Sequence, residues 1–276
     1  MSVKPIKPLT NEELKIKAPS LFQDQPYHDV SEKYNFISTI DIIEQLRNQS
    51  WFPVNVGESG VRDLSKDGFQ QHYVRFQNFS DLINPSSNVV ELLLFNSHDR
   101  SKSFTISAGI YRYVCSNGLV IADSVFESYK IKHLGERDND VANAVLKITQ
   151  VKPKLLSKIS KFESITLNQN EKEAFLNSAI PLRFENHLEL DNPNELLTPL
   201  RAEDEKDDLY TVLNILQENF LSSKISGYNK ETNRRFTSKQ ITSISKDVEI
   251  NKGLWDIAER IASIKDGSYD RPVIAA

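Results

Sequence analysis

The sequence predicts an α+β fold: an antiparallel β-meander packed against a long basic helix, with a helical C-terminal part. Between 69 and 133 apolar residues alternate with polar ones, a period typical of strands with one buried face. After 138 the apolar residues recur at helical spacing instead. With 39% hydrophobic and 26% charged residues over 276 positions, the chain can build a packed core.

The first predicted elements are an arm, a helix and a strand. Residues 1–30 carry four prolines and are expected to form an extended N-terminal arm. Ser38, followed three residues later by Asp41, has the pattern of a helix N-cap and predicts a helix over 39–48. Residues 51–56 then have the composition of a strand, which the glycines after it end.

Four apolar runs form the predicted meander. They cover 69–79, 89–95, 103–115 and 119–133. Turn-forming residues separate them at 84–85, at 96–102 and at Asn117-Gly118. Asn-Gly is a strong hairpin signal because both residues tolerate a positive φ, so the sequence predicts a turn there.

The remaining elements are predicted to be helical. A long basic helix is expected over 141–162, kinked or split at Pro153, and shorter helices follow at 170–178, 208–222 and 252–265. Nine acidic residues fall in 185–208, which indicates a solvated connection. The predicted organisation is an arm (1–30), an α+β core (31–180), an acidic linker (181–207) and a helical C-terminal region (208–276).

Composition excludes several classes of protein. The formal net charge is −4, so the chain is not basic as a whole, and a single cysteine, Cys115, excludes both an internal disulfide and a CxxC zinc site. Neither a secretory signal nor a membrane-spanning stretch is recognisable, which favours a cytoplasmic location. No phosphate-binding loop, GxGxxG, HExxH or GxSxG motif is present, so no cofactor is expected and a non-enzymatic role is favoured.

One polar cluster lies between two predicted strands. Asn96, Ser97, His98 and Asp99 place an imidazole, a carboxylate and a hydroxyl together. One interpretation is functional: a metal or acid–base site. The other is structural: a polar turn whose side chains form hydrogen bonds with their own backbone. The polar turn is the favoured interpretation. Cys115 could serve as a nucleophile beside His98 or His133, but a cysteine at a strand end is more often a small buried hydrophobe.

Two basic stretches indicate nucleic-acid contact. The segment 130–161 contains eight Lys or Arg residues and three acidic residues. The segment 224–252 contains seven Lys or Arg residues and three acidic residues. The alternative interpretation is a solvated helix face. The candidate DNA-binding residues are phosphate-binding cations and base-stacking tyrosines: Lys130, Lys132, Lys152, Lys154, Lys158, Arg234, Arg235, Tyr111 and Tyr113.

Several short motifs together resemble the bacterial phage/plasmid-like family catalogued as a domain of unknown function. The resemblance covers roughly 30–265 and rests on 93–99, 113–119 and 131–133, with weaker matches near 229–235 and 254–255. Its motif residues are Asn96, Ser97, His98, Asp99, Cys115, Asn117, Gly118 and His133. Members often carry Gly after the His-Asp pair, where this chain has Arg100. The resemblance implies a mobile-element gene.

Three functional hypotheses follow. The order of elements resembles the core of Rad52-type single-strand annealing proteins, and this favours a protein that binds or anneals single-stranded DNA in recombination or replication, as a homo-oligomer. The second is a metal-dependent phosphoester hydrolase with His98, Asp99 and His133 as ligands and His72 as a further one. The third is a mobile-element factor that binds a host protein without catalysis.

Overall fold

A computed structural model describes residues 6–29, 36–112, 117–120, 129–130, 138–222 and 224–268. The chain forms two compact units, Met1–Pro153 and Lys154–Ala276. The boundary between the units lies inside one long helix, at Pro153. None of the predicted segment boundaries lies at this position. Among the described residues, no helix combines the length and the apolar character needed to cross a membrane.

The first unit is built on an antiparallel meander in which each strand pairs with the next one along the chain. Its strands are β1 (Trp51–Glu58), β2 (His72–Asn78), β3 (Asn88–Asn96), β4 (Thr105–Arg112) and β5 (Asn117–Val120), while β6 (Tyr129–Lys130) also pairs with β4. The predicted α+β class and the meander are therefore confirmed. The turn predicted at Asn117-Gly118 is wrong, because these residues begin β5 and pair with Arg112 and Tyr111.

Both faces of this sheet are buried, but they differ in chemistry. On one face, apolar side chains such as Val74, Leu94 and Ile106 surround the polar His72 and Asn96. The opposite face carries Arg75, Gln77, Glu91 and Tyr111 in addition to apolar residues. A buried polar group costs free energy unless it is hydrogen-bonded, so each of these polar side chains requires a partner.

Three short helices accompany the sheet: α1 (Asn11–Lys17), α2 (Thr39–Asn48) and α3 (Phe79–Ile83). The limits of α2 match the prediction, and Ser38 caps it by accepting a hydrogen bond from the Asp41 backbone N–H. The predicted arm is not extended throughout. Thr10 and Glu13 form a reciprocal capping box that starts α1 between the prolines.

The long helix α4 (Asp138–Ser164) continues through Pro153 as one element and enters the second unit, so it is not split. That unit adds α5 (Gln169–Ala179), α6 (Leu209–Ser222) and α7 (Ile244–Lys265). Its core includes Trp255, whose ring lies 5.1 Å from that of Phe162. The helix α7 starts eight residues before the predicted position, because Ser243 caps it by accepting from the Lys246 N–H.

A small second sheet was not predicted. It comprises β7 (Leu188–Leu190), β8 (Ser226–Asn229) and β9 (Arg234–Thr237), paired in that order. The strand β7 lies in the segment 181–207, which packs into the second unit and buries Phe184, Leu190 and Leu196. Its many charges masked these apolar residues in the sequence.

Gly227, at the centre of this sheet, cannot carry a side chain without displacing backbone. A Cβ atom there would lie 2.2 Å from the carbonyl oxygen of Glu189. We expect Gly227→Ala to lower the free energy of unfolding by about 1–3 kcal/mol, measured by urea denaturation. The control is Gly60→Ala, whose Cβ would contact nothing within 4 Å and is expected to change stability by less than about 0.5 kcal/mol. Equal effects of the two substitutions would contradict this account.

Candidate functional site

The polar motif predicted between two strands forms a fixed loop after β3. The Ser97 hydroxyl accepts from the Lys102 N–H at 2.9 Å and donates to the Lys102 carbonyl at 3.1 Å, which closes the turn. Arg100 has a φ of 65°, in the left-handed region that favours glycine. A glycine would adopt this φ without strain, and the turn is made here despite the arginine.

His98 is drawn into the core from this loop. Its N–H donates to the Phe69 carbonyl at 2.9 Å, and its carbonyl accepts from the Tyr27 N–H at 3.0 Å. Its ring is fully buried, 4.8 Å from the Phe36 ring and 5.1 Å from that of His72. The structure therefore brings His98 together with His72, which comes from the neighbouring strand β2.

A chain of hydrogen bonds determines which nitrogen of His72 carries the proton. Nδ1 lies 3.2 Å from the Gln70 carbonyl oxygen, which can only accept, so Nδ1 is protonated. Nε2 is then the acceptor, and the Thr39 hydroxyl, 2.9 Å away, donates to it. Asn96 Nδ2 donates in turn to Thr39 Oγ1 at 3.0 Å. Because every member of this chain is neutral, it satisfies its polar groups without burying a charge.

Burial keeps His72 in this neutral form. Burial, and after it the adjacent His98, lower the pKa of His72 to about 3, although the hydrogen bond to the Gln70 carbonyl acts in the opposite direction. The ring is therefore unprotonated at neutral pH and cannot act as a general acid there. Since Ser20 also contacts Nδ1 at 3.0 Å, both ring nitrogens are occupied by protein groups, and neither is free to bind a metal.

A polar cleft of about 310 Å³ lies beside this cluster. Gln70 joins the two: its carbonyl binds His72, and the residue lines the cleft. The opposite wall contains Asp99, the residue after His98, with Lys66 Nζ 3.8 Å from its carboxylate. Burial raises the pKa of Asp99, but hydrogen bonds from Ser101 and Ser97 and the charge of Lys66 outweigh it and lower that pKa. Asp99 is thus ionised at neutral pH.

The candidate DNA-binding cations lie in different surroundings. Lys152 contacts both carboxylate oxygens of Asp81 at 2.7 Å, Lys158 contacts Glu259 at 2.5 Å, and Arg235 forms an ion pair with Asp191. Lys154 and Arg234 are exposed and form no ion pair with any residue that the structure describes.

The other predicted residues divide by position. Tyr111 packs against the Arg75 guanidinium, 4.8 Å from the ring centre, rather than standing alone on the surface. Lys130 lies in β6. Lys132, Tyr113, Cys115 and His133 fall outside the described residues. The alternative metal site of His98, Asp99 and His133 stays a hypothesis, and among the residues described no group of three His, Cys, Asp or Glu could hold a metal.

Sequence patterns did not identify Ser20, Thr39 and Gln70 as members of the cluster. The available signal was His72, which shares the alternating register of Val74 and Phe76 and so lies on the apolar face. A polar residue at such a position predicts buried partners but does not say where along the chain they are.

Comparison with known proteins identifies the family. The family described as "Domain of unknown function (DUF932)" matches residues 26–255, which include β1 to β9 and the whole motif loop. The chain belongs to the DUF932 family. The resemblance drawn from the motif residues is therefore confirmed, and the matched region includes both units.

Two relatives of this DUF932 protein come from Escherichia coli (strain K12). They are UPF0380 protein YafZ and UPF0380 protein YfjQ, each 29% identical over 255 residues and covering 92% of both chains. No solved structure matches the chain. The similarity thus extends over nearly the full length of these relatives, and their names state no activity.

Proposed function

We propose that this DUF932 protein binds single-stranded DNA through the exposed face of its second sheet, as a single-strand binding or annealing protein in the recombination or replication of a mobile element. The observation that carries the proposal is the pairing of Tyr228 with Arg235. These residues lie directly opposite each other on β8 and β9, so their side chains share one face. Both are exposed.

An exposed tyrosine beside an arginine suits unpaired bases. The Tyr228 hydroxyl donates to Asn233 Oδ1 at 2.8 Å, which holds the ring along the hairpin. A base can stack on such a ring whatever its identity, and stacking contributes about 1–3 kcal/mol per base. Ser226 and Thr237 lie on the same face, with their hydroxyl oxygens 3.1 Å apart, and supply hydrogen-bonding groups.

The hairpin also carries cations that a phosphate backbone can engage. Arg234 lies opposite Asn229 and points to the other face, at the end of the hairpin next to its turn, where a backbone passing over the end could contact it. Arg234 is exposed and has no acidic partner in the described part of the chain. Arg235 pairs with Asp191, and Lys230 with Glu189 at 3.2 Å, but every side chain in these two pairs is at least 40% exposed. Exposed ion pairs contribute only about 0–1 kcal/mol, so exchanging a carboxylate for a phosphate costs little.

Annealing requires no bound nucleotide, which agrees with a sequence that lacks a phosphate-binding loop. A homo-oligomer is part of the proposal, because several chains along one strand would extend the contact. The alternatives of a metal-dependent hydrolase and of a host-protein inhibitor have no comparable arrangement of described residues in their favour.

The test compares hairpin variants by fluorescence anisotropy with a labelled single strand of ~30 nucleotides. We expect Arg234→Ala/Arg235→Ala to weaken binding and to reduce the salt dependence of log K by about 1.4, since each lost phosphate contact on a single strand accounts for about 0.7. Tyr228→Ala is expected to weaken binding by about tenfold with little change in that dependence, since it removes about 1–3 kcal/mol of stacking.

The matched control is Lys17→Ala/Lys206→Ala, which also removes two exposed cations but leaves the hairpin intact. If this control weakened binding as much as the arginine pair, general charge rather than the hairpin would account for the affinity, and the proposal would fail.

A further inference from the structure

We propose that the cleft beside the motif loop is a binding site for a small phosphomonoester that carries hydroxyl groups, such as a sugar phosphate or a nucleoside monophosphate. The cleft lies between the loop that follows β1 and the loop that follows β3, with a volume of about 310 Å³. The site is independent of the proposed single-strand binding, because its residues all belong to the first unit and the hairpin belongs to the second.

The charges that line the cleft balance, but its two cations are less closely engaged than its two carboxylates. Its four charged residues are Arg62, Asp63, Lys66 and Asp99. The carboxylate of Asp63 accepts from the N–H and the hydroxyl of Ser65, and that of Asp99 accepts from the Ser101 N–H at 2.9 Å. Arg62 forms no ion pair with the residues described, and Lys66 approaches Asp99 only to 3.8 Å. A bound anion would therefore meet two available cations.

A phosphate group suits these cations better than a carboxylate. It offers three oxygens, so that the ammonium of Lys66 and the guanidinium fork of Arg62 can each bind a different one. A divalent cation is disfavoured at the same place, because two positive side chains line the cleft and both acids are already hydrogen-bonded.

The same cleft contains an acceptor that needs a donor. Gln70 is only 6% exposed, and its Nε2 donates to Glu58 at 2.9 Å. Its Oε1 is buried and has no hydrogen-bond partner in the structure. A buried carbonyl without a donor costs free energy, and a ligand hydroxyl would satisfy it if the Gln70 side chain turned towards the cleft. The ligand should therefore carry both an anionic group and hydroxyl donors.

A smaller cleft of about 260 Å³ shares Lys66 and Asp99 and is lined by Tyr27 as well. Lys66 Nζ lies 5.7 Å from the Tyr27 ring centre, and the Tyr27 hydroxyl lies 3.0 Å from Ser65 Oγ. These contacts hold the Lys66 side chain between the larger and the smaller cleft. Its ammonium group can there bind a ligand that extends from one cleft into the other.

Isothermal titration calorimetry on the full chain tests the site, with inorganic phosphate, ribose 5-phosphate and AMP as probes. We expect both phosphomonoesters to bind more tightly than inorganic phosphate, because only they carry the ribose hydroxyl groups that can donate to a Gln70 side chain turned towards the cleft. If AMP binds more tightly than ribose 5-phosphate, the ligand is a nucleotide; the reverse order identifies a sugar phosphate. No binding of any probe, or phosphate binding as tightly as both esters, overturns the proposal.

Two kinds of variant separate the site from general effects. Lys66→Ala should weaken ribose 5-phosphate binding about tenfold, because a charge-assisted hydrogen bond is lost. Gly60→Leu should block the cleft without changing charge, since a Cβ at Gly60 has open space around it. The control, Lys102→Ala, removes an exposed cation that does not line the cleft and should change affinity less than twofold. Unchanged binding in both Lys66→Ala and Gly60→Leu overturns the proposal.

Discussion

Replacement of Glu91 by Gln is expected to lower the free energy of unfolding by about 3–5 kcal/mol. Glu91 is 1% exposed on the strand β3, and one carboxylate oxygen lies 2.5 Å from Arg75 Nε. The other accepts from Gln77 Nε2 at 2.9 Å. Arg75 Nη2 already lacks an acceptor in the structure, so neutralising Glu91 would leave a largely buried guanidinium without its counter-charge.

Urea denaturation measures this loss, and a double replacement shows its origin. Arg75→Met/Glu91→Leu removes both charges and keeps apolar volume, so it should recover at least half of the lost stability, because the cost arises mainly from an unpaired charge. If Glu91→Gln stayed within about 1 kcal/mol of the parent chain, the network would not stabilise the sheet as described.

Acidification should destabilise the protein before its carboxylates titrate. The pKa of His72 falls from 6.5 to about 3 on folding, chiefly through burial and then through His98. Above pH 6.5 both states are neutral, and stability is complete. Below it the unfolded chain takes up a proton that the folded chain refuses, so stability falls by about 1.4 kcal/mol per pH unit towards the folded pKa.

The interval between about pH 5 and pH 6.5 isolates this effect, since the carboxylates with lowered pKa values contribute only below their ordinary values, which are 3.8 for Asp63, Asp99 and Asp266 and 4.5 for Glu12 and Glu171. Other ionisable groups close to His72 are His98, and Glu58 opposite it on β1. His72→Gln can keep one donor and one acceptor, so it should flatten the dependence. The exposed His28→Gln is the control and should leave the slope unchanged. An equally steep slope in His72→Gln would contradict the assignment.

The sequence predicted regular elements well where one strong signal set their limits. The strand period located the meander, and the Ser38 cap located α2 at its observed limits. It failed where two signals competed. The prolines of the arm concealed the Thr10 capping box, and the acids of 181–207 concealed three buried apolar side chains. The Asn-Gly pair at 117–118 fits a turn by its local preference, but pairing with β4 places it in a strand.

The candidate sites were predictable only in part. Local sequence identified the motif loop because Asn, Ser, His and Asp are adjacent there. It could not show that His98 meets His72, or that Thr39 and Ser20 complete the hydrogen bonds, because those contacts join residues 26 to 52 positions apart. Similarly, Tyr228 and Arg235 are neighbours only because β8 and β9 pair in one register.

The most direct test of single-strand binding is a salt titration of the unmodified protein with a labelled single strand of ~30 nucleotides and with the matching duplex. We expect tighter binding to the single strand, and an affinity that falls steadily between about 50 and about 200 mM salt as phosphate contacts are lost. Absence of binding to the single strand at the lower salt, or an affinity that does not change with salt, would contradict the proposed function.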